Sequence, residues 1–314
     1  MPLRRSSTHV RTGERFSAGK RASEIALVAL FCGAIGIAFA PIFVRLSEAG
    51  PSATAFYRLL FALPALALWW RLEDRRADGR SRPAGTADYL GLVLAGLFFA
   101  GDLAFWHWSI RFTSVANATL LANFAPIFVA FAGFAFFGER FSRTFLIGLA
   151  MALVGACVLM GQSVTVSRSH LFGDALGIIT AMFYGAYIVT VGRLRSRMTT
   201  STIMFGSGVV TCVVLLPVAM VSGEDLIAVT AFGWAILVAL ALVSHAGGQS
   251  LIAYALAHLP AAFGSVALLL QPAVAALLAW LILGEALGVW QIAGATVILV
   301  GIFLARKGSR RGEA

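Results

Sequence analysis

The chain has 314 residues, of which 60% are hydrophobic and 12% charged, with a mean hydropathy of +0.89 and a formal net charge of +10. A soluble domain carries roughly 25% charged residues; here the charges sit in tails and short loops between long apolar runs, so the composition describes a polytopic membrane protein. The basic excess does not indicate nucleic acid, because no soluble stretch is long enough to fold into a reader domain. The three cysteines, Cys32, Cys157 and Cys212, all fall in apolar runs without metal-ligand spacing, so neither a disulfide framework nor a metal or other cofactor is expected.

In chain order, residues 1–23 are basic, contain Ser and lack apolar periodicity, and predict a disordered tail. A membrane span needs about 20 apolar residues. Spans are predicted at 25–44, 53–70, 89–108, 115–137, 144–161, 172–191, 202–221, 232–256, 261–283 and 288–305, followed by a basic tail at 306–314. Span 1 is too long for the apolar core of a signal peptide. The longest internal connection is 71–88. Trp69, Trp70, Trp106, Trp108, Trp234 and Trp290 lie at span ends, as interfacial aromatic belts require.

The pattern repeats. Residues 114–160 align without gaps to 260–306 at an offset of 146, which pairs Pro126 with Pro272, Gly138 with Gly284, Glu139 with Glu285, Gly148 with Gly294 and Gly155 with Gly301. Each copy holds five spans, an odd number, so the second copy crosses the membrane in the opposite sense. The domains are therefore a first five-helix repeat at 24–161 and a second at 170–305, and the fold class is all-α integral membrane, ten helices in two inverted-topology repeats. Such repeats are typical of secondary transporters, with the substrate site near the midplane between the halves. If the N-terminus is cytoplasmic, 20 of the 24 Lys and Arg residues fall on the inside, three outside (Arg45, Arg111 and Arg168) and one, Arg58, within span 2. The positive-inside rule then puts both termini in the cytoplasm.

Polar side chains are costly in the bilayer and normally face the protein interior or a cavity. Mid-span candidates are Asp102 in span 3, Asn123 in span 4, His245 and Gln249 in span 8, and Gln271 in span 9. In register Phe99 matches His245, so Asp102 and His245 are offset by about one helical turn and are expected to face each other across one central cavity. Asp102 and His245 suit proton coupling, and Asp102 also a counter-charge to a cationic or zwitterionic substrate; a structural tie between the two, or an interhelical hydrogen bond from a neutral His245, is the alternative. Gln249 and Gln271 suit substrate orientation, and Asn123 an interhelical hydrogen bond. Arg58 can hold a substrate carboxylate, or snorkel to headgroups, or pin its helix to a neighbour. Gly138 with Glu139 and Gly284 with Glu285 suit a turn and a cap. Pro41, Pro64, Pro126, Pro217 and Pro272 each lie in or near a span interior and can kink it.

APIFVAFAGFAFFGER (125–140), QPAVAALLAWLILGE (271–285) and FYRLL (56–60) resemble the EamA-type exporters of the drug/metabolite transporter superfamily, and the resemblance extends over about 25–305. It implies a central cavity lined mostly by spans 1–4 and 6–9, with spans 5 and 10 peripheral, in a bacterial inner membrane. Members mostly export small metabolites, amino acids or drugs, often against protons. Span 1 departs from the family's common Trp-Gly, carrying FCGAIGIAFAPIF instead.

The expected function is a secondary exporter of a small organic solute working by alternating access, with the bilayer, a small-molecule substrate and protons as partners. No Walker A, HExxH or GxSxG pattern occurs, so no ATP motor or enzyme is expected. A nucleotide-sugar or sugar-phosphate antiporter is the runner-up, disfavoured because such cargo needs several cationic contacts. A non-transporting sensor or accessory subunit is the alternative from another class. Oligomeric state is not legible.

Overall fold

The computed structural model describes residues 7–76, 82–113, 115–161, 168–284 and 287–311, for 7–20 the backbone alone. Ten helical segments are long and apolar enough to cross a bilayer: Arg21–Leu46, Pro51–Arg75, Thr86–Phe112, Asn117–Phe137, Arg143–Met160, Leu171–Leu194, Thr200–Val221, Ala231–Ala255, Ala261–Ile282 and Val289–Ser309. These are spans 1 to 10 below. Large apolar side chains face outward along them, such as Phe136 (75% exposed), Val221 (77%) and Phe303 (65%), the arrangement a lipid solvent selects. The tails differ from the expectation. Helix begins at Ser7 and ends at Arg311, so most of both basic tails extends the neighbouring spans. Adding a residue to an existing helix makes one hydrogen bond without a new nucleus, and no proline interrupts either stretch.

Four of the five marked prolines break their helices. Span 1 divides at Phe39 (Ser7–Ala38, Ala40–Leu46), span 2 at Phe61 (Pro51–Leu60, Ala62–Arg76), span 4 between Val115–Ala122 and Ala125–Phe137, and span 9 between Ala261–Ala267 and Leu270–Leu283. Each break lies within four residues before its proline: Pro41, Pro64, Pro126 and Pro272. Proline has no N–H for the carbonyl four residues back, and its ring crowds that carbonyl. Pro217 is carried inside an unbroken helix, Thr200–Val221. Span 8 departs in another way, adopting π-helical geometry over Leu240–Gln249, while its repeat partner span 3 is one α-helix, Thr86–Phe112.

The two repeats interlock instead of standing side by side. Span 3 packs on span 6 and span 1 on span 8; span 2 packs on span 7, and span 5 on span 10. Each pair joins one repeat to the other, and a pseudo-twofold operation carries span 3 with span 6 onto span 8 with span 1. Spans 5 and 10 meet through the four glycines matched by the repeat. A Cβ on Gly155 would lie 2.8 Å from the Gly294 carbonyl oxygen and one on Gly148 2.6 Å from that of Gly301. The reciprocal contacts are as close, 2.7 Å from Gly294 to the Gly155 oxygen and 2.8 Å from Gly301 to that of Gly148. The interface is thus self-complementary, as a twofold contact must be. Ser142 Oγ donates to the Gly308 carbonyl at 2.9 Å and fastens the same pair at its end near the C-terminus.

Gly155→Val or Gly301→Val is expected to lower the unfolding free energy by about 1–3 kcal/mol, since backbone lies where the side chain must go. Gly161→Ala, where a Cβ meets nothing within 4 Å, should be neutral. Thermal unfolding of the purified variants in detergent checks both.

Candidate functional site

A cavity of about 390 Å³ lies among spans 1–6 and 8–10. Its wall shows the helix breaks directly. Ala38, Ala40 and Pro41 come from the break in span 1, Ala122 and Asn123 from that in span 4, and Gln271 and Pro272 from that in span 9. Nearly every lining residue belongs to the half of its span farther from the termini; Tyr184, just past the midpoint of span 6, and Gln249, farther past that of span 8, form the floor. On the terminal side of that floor the bundle is filled by buried Leu30, Leu66, Leu194, Ile203, Leu256 and Phe263. The structure is therefore closed toward the termini, with its cavity in the distal half.

Arg58 and Asp102 supply the two charges of the wall. Arg58 is only 9% exposed, its Nε has no hydrogen-bond partner, and its Cζ lies 5.9 Å from the centre of the Phe99 ring. The two groups interact electrostatically, yet no ion pair within 4 Å joins them among the described residues. The Tyr184 hydroxyl is within reach of the Gln271 and Gln249 amides, and Gln271 Nε2 is left without a partner. Asn123 spends its amide donor locally, Nδ2 to the Thr119 carbonyl at 2.9 Å, which satisfies a group near the break in span 4. The rest of the wall is largely apolar: Ile37, Val44, Leu103, Trp106, Leu159 and Met160.

Of the expected residues, Asp102, Gln249, Gln271, Asn123 and Arg58 meet in this cavity, and His245 does not. His245 is 1% exposed, stacks on Phe99 at 5.4 Å between centroids, and has no partner for either ring nitrogen. Phe99 and His245 are repeat equivalents, so they meet where the pseudo-twofold axis passes. The expectation that His245 faces Asp102 rested on α-helical register in both spans, whereas span 8 is π-helical from Leu240 to Gln249. Gly138 and Gly284 have φ of 65° and 69°, in the left-handed region that favours glycine, whereas the helix after the first turn is capped by Ser142 and not by Glu139. Glu139 N–H closes the first turn on the Gly133 carbonyl at 2.9 Å. Glu285 lies outside the described residues.

Sequence reasoning missed Tyr184 and misassigned Trp106. Trp106 lines the cavity, while Trp108, two residues on, is 41% exposed and fits the interfacial belt. Tyr184 carried a usable signal, because it lies near the middle of span 6, too deep for a belt. His107 is also buried at 2%, with both ring nitrogens unpartnered, and does not line the cavity.

At the distal end, acids of two loops cross over to cap each other's helices. Glu48, after span 1, accepts the Val229 and Thr230 N–H groups at 2.8 Å each, and the Thr230 hydroxyl, at the start of span 8. Glu224, before span 8, accepts the Ser52 N–H at 2.7 Å at the start of span 2 and lies 3.6 Å from Arg111 of span 3. A carboxylate at a helix N-terminus also gains from the helix dipole. Asp174, in the first turn of span 6, accepts from Thr113 Oγ1 at 2.7 Å and Asn117 Nδ2 at 3.0 Å. These ties hold together the distal ends of helices from both repeats.

Ten spans in two inverted repeats around one central cavity define an integral membrane protein of the inverted-repeat transporter class. The chain belongs to the EamA-like transporter family, which it matches over residues 24–161 and 171–306. It is 27% identical to the threonine/homoserine exporter RhtA of Salmonella typhimurium, over 82% of this chain and 81% of that protein. It is 29% identical to a probable terminal-alkyne amino-acid exporter of Streptantibioticus cattleyicolor (88% and 92% covered) and 26% identical to an uncharacterized transporter of Archaeoglobus fulgidus (84% and 91%). A crystal structure 18% identical in sequence superposes with a TM-score of 0.77 over 94% of this chain and 99% of that one, so the fold is shared. The family is one of transporters, not enzymes.

Hydrogen bonds from the Thr230 hydroxyl and N–H hold the Glu48 carboxyl below its ordinary value of 4.5. A carboxylate depressed on folding stabilises the folded state fully above its unfolded value, and that contribution is lost as pH falls through the folded value. Wild type should therefore unfold at a higher temperature than Glu48→Gln by a constant margin between about pH 5.5 and 8, a margin that shrinks below about pH 4. Melting curves across that range check the sign.

Proposed function

We propose that this protein is a secondary exporter of small organic solutes bearing one positive and one negative group, amino acids above all, working by alternating access. The observation that carries this reading is the unpaired placement of Arg58 and Asp102 in the wall of one distal cavity. A carboxylate can take the free donor of Arg58 in a charge-assisted hydrogen bond, and an ammonium can face Asp102. Gln271, Gln249 and Tyr184 offer orienting contacts at the floor, and the apolar wall accommodates a side chain. Two relatives named as exporters of amino acids support the class. Nucleotide sugars and sugar phosphates fit less well, because Arg58 is the sole cationic residue in the described lining.

Asp102 is the coupling group of the proposal: it is the one acid in the described wall, and exchanging a proton for a substrate ammonium keeps its charge compensated in both halves of the cycle. His245 has no cargo contact in this scheme. The distribution of Lys and Arg supports an orientation with both termini on the cytoplasmic side, and the bacterial relatives support a location in an inner membrane. The distal cavity then faces outward, the state from which an exporter releases cargo.

Proteoliposomes loaded with a pH dye and offered amino acids and organic amines test the scheme. Wild type should show substrate-dependent proton movement, and Asp102→Asn should abolish it. Arg58→Gln should raise KM for carboxylate-bearing cargo by about tenfold or more, the worth of one charge-assisted hydrogen bond, while simple amines are little affected. Unchanged transport in both variants would move the site elsewhere.

A further inference from the structure

A groove on the membrane-facing surface, away from the cavity, combines an apolar trough with a free cation. Ala130 of span 4 forms part of its floor, Phe131 and Phe134 rise on one side, and Phe141 and Leu146 come from the following turn and span 5. Phe131 and Phe134 are 62% and 66% exposed. Phe141 is braced from behind by stacking on Phe145 at 4.9 Å. At the groove's terminal-side end stands Arg140, exposed and without an ion-pair partner among the described residues. Glu139, the acid of the same turn, is folded back against Gly133 on its own helix. Two further arginines are close by: Arg143 opens span 5, and Arg193 of span 6 lies over the Phe137 ring with Cζ 3.4 Å from its centre.

The repeat shows that this charge is not part of the turn. The second copy keeps the Gly-Glu pair but has Ala286 in place of Arg140 and Val289 in place of Arg143. The arginines were not needed to build the turn, and they stand where an apolar trough reaches the end of its span.

We propose that this groove is a binding site for an anionic phospholipid, its acyl chain along Phe131 and Phe134 and its phosphate on Arg140. An apolar trough alone takes any lipid tail; the unpaired guanidinium can give two parallel hydrogen bonds to a phosphate, and it favours an anionic lipid over phosphatidylcholine because the latter's phosphate is already neutralised by its own ammonium. Electrostatic attraction from basic residues at a membrane surface adds to that preference.

Native mass spectrometry of the full chain released from detergent, with phosphatidylglycerol and phosphatidylcholine of identical acyl chains, tests the site. Wild type is expected to retain phosphatidylglycerol in preference to phosphatidylcholine. Arg140→Gln should weaken phosphatidylglycerol retention about fivefold or more, the effect of one surface arginine, and weaken phosphatidylcholine less. Phe134→Ala should weaken both lipids. Equal retention of the two lipids by wild type, or phosphatidylglycerol retention unaffected in Arg140→Gln, would overturn the proposal. Arg140 touches neither the cavity nor the distal ties, so a folded variant is expected, and a wild-type melting temperature confirms it.

Discussion

Inside a bilayer no water is available to pair a backbone carbonyl, so a broken helix is tolerated only where protein or a polar cavity takes over the freed groups. That constraint organises this molecule. Four prolines open four spans, and the breaks of three of them, in spans 1, 4 and 9, line one cavity. The break in span 2 follows Arg58 by three residues. Three helix breaks and the polar side chains of Arg58, Asp102, Asn123, Gln249 and Gln271 are thus collected in one place. Asn123 shows the economy of the arrangement: it borders the cavity and at the same time returns its amide to a carbonyl of its own helix.

Packing follows the pseudo-twofold axis, but the chemistry does not. Glycine contacts between spans 5 and 10 are reciprocal to within about 0.2 Å on both sides of the axis, and every principal helix pairing has its counterpart in the other repeat. Asp102, by contrast, is matched in register by Gly248, whose missing side chain lets span 8 lie on span 1: a Cβ there would meet the Gly33 carbonyl oxygen at 3.0 Å. The same position therefore supplies a charge in one copy and a close helix contact in the other. Inverted symmetry gives the two repeats similar packing, and the departures from symmetry confine the charged wall to one face.

How far the sequence could be read depended on whether a feature is local. Span number, inversion and the glycine turn at Gly138 are set by apolar length and by the geometry of single residues, and were legible. The cavity set Asp102, Arg58, Gln249, Gln271 and Asn123 was also legible, because polarity inside an apolar run is conspicuous. His245 was placed wrongly, since the π-helical geometry of span 8 changes which way successive residues point and has no clear signature in the sequence. Trp106 shows a second limit. It and Trp108 occupy the same span end, and only tertiary packing decides which meets lipid and which meets the cavity. The helical extension of the tails was hidden by composition, because a basic segment reads as disordered unless the helix already growing beside it is considered.

The central claim is that this cavity is exposed to the two sides of the membrane in turn. It is tested most directly with a cysteine at Ala122, a cavity-lining position, in a chain whose Cys32, Cys157 and Cys212 are replaced by alanine. A membrane-impermeant maleimide is then applied from each side of oriented vesicles. Labelling should be rapid from the side away from the termini, and labelling from the terminal side should appear only when transported cargo is present. Equal labelling from both sides without cargo, or none from the terminal side under any condition, would contradict alternating access through this cavity.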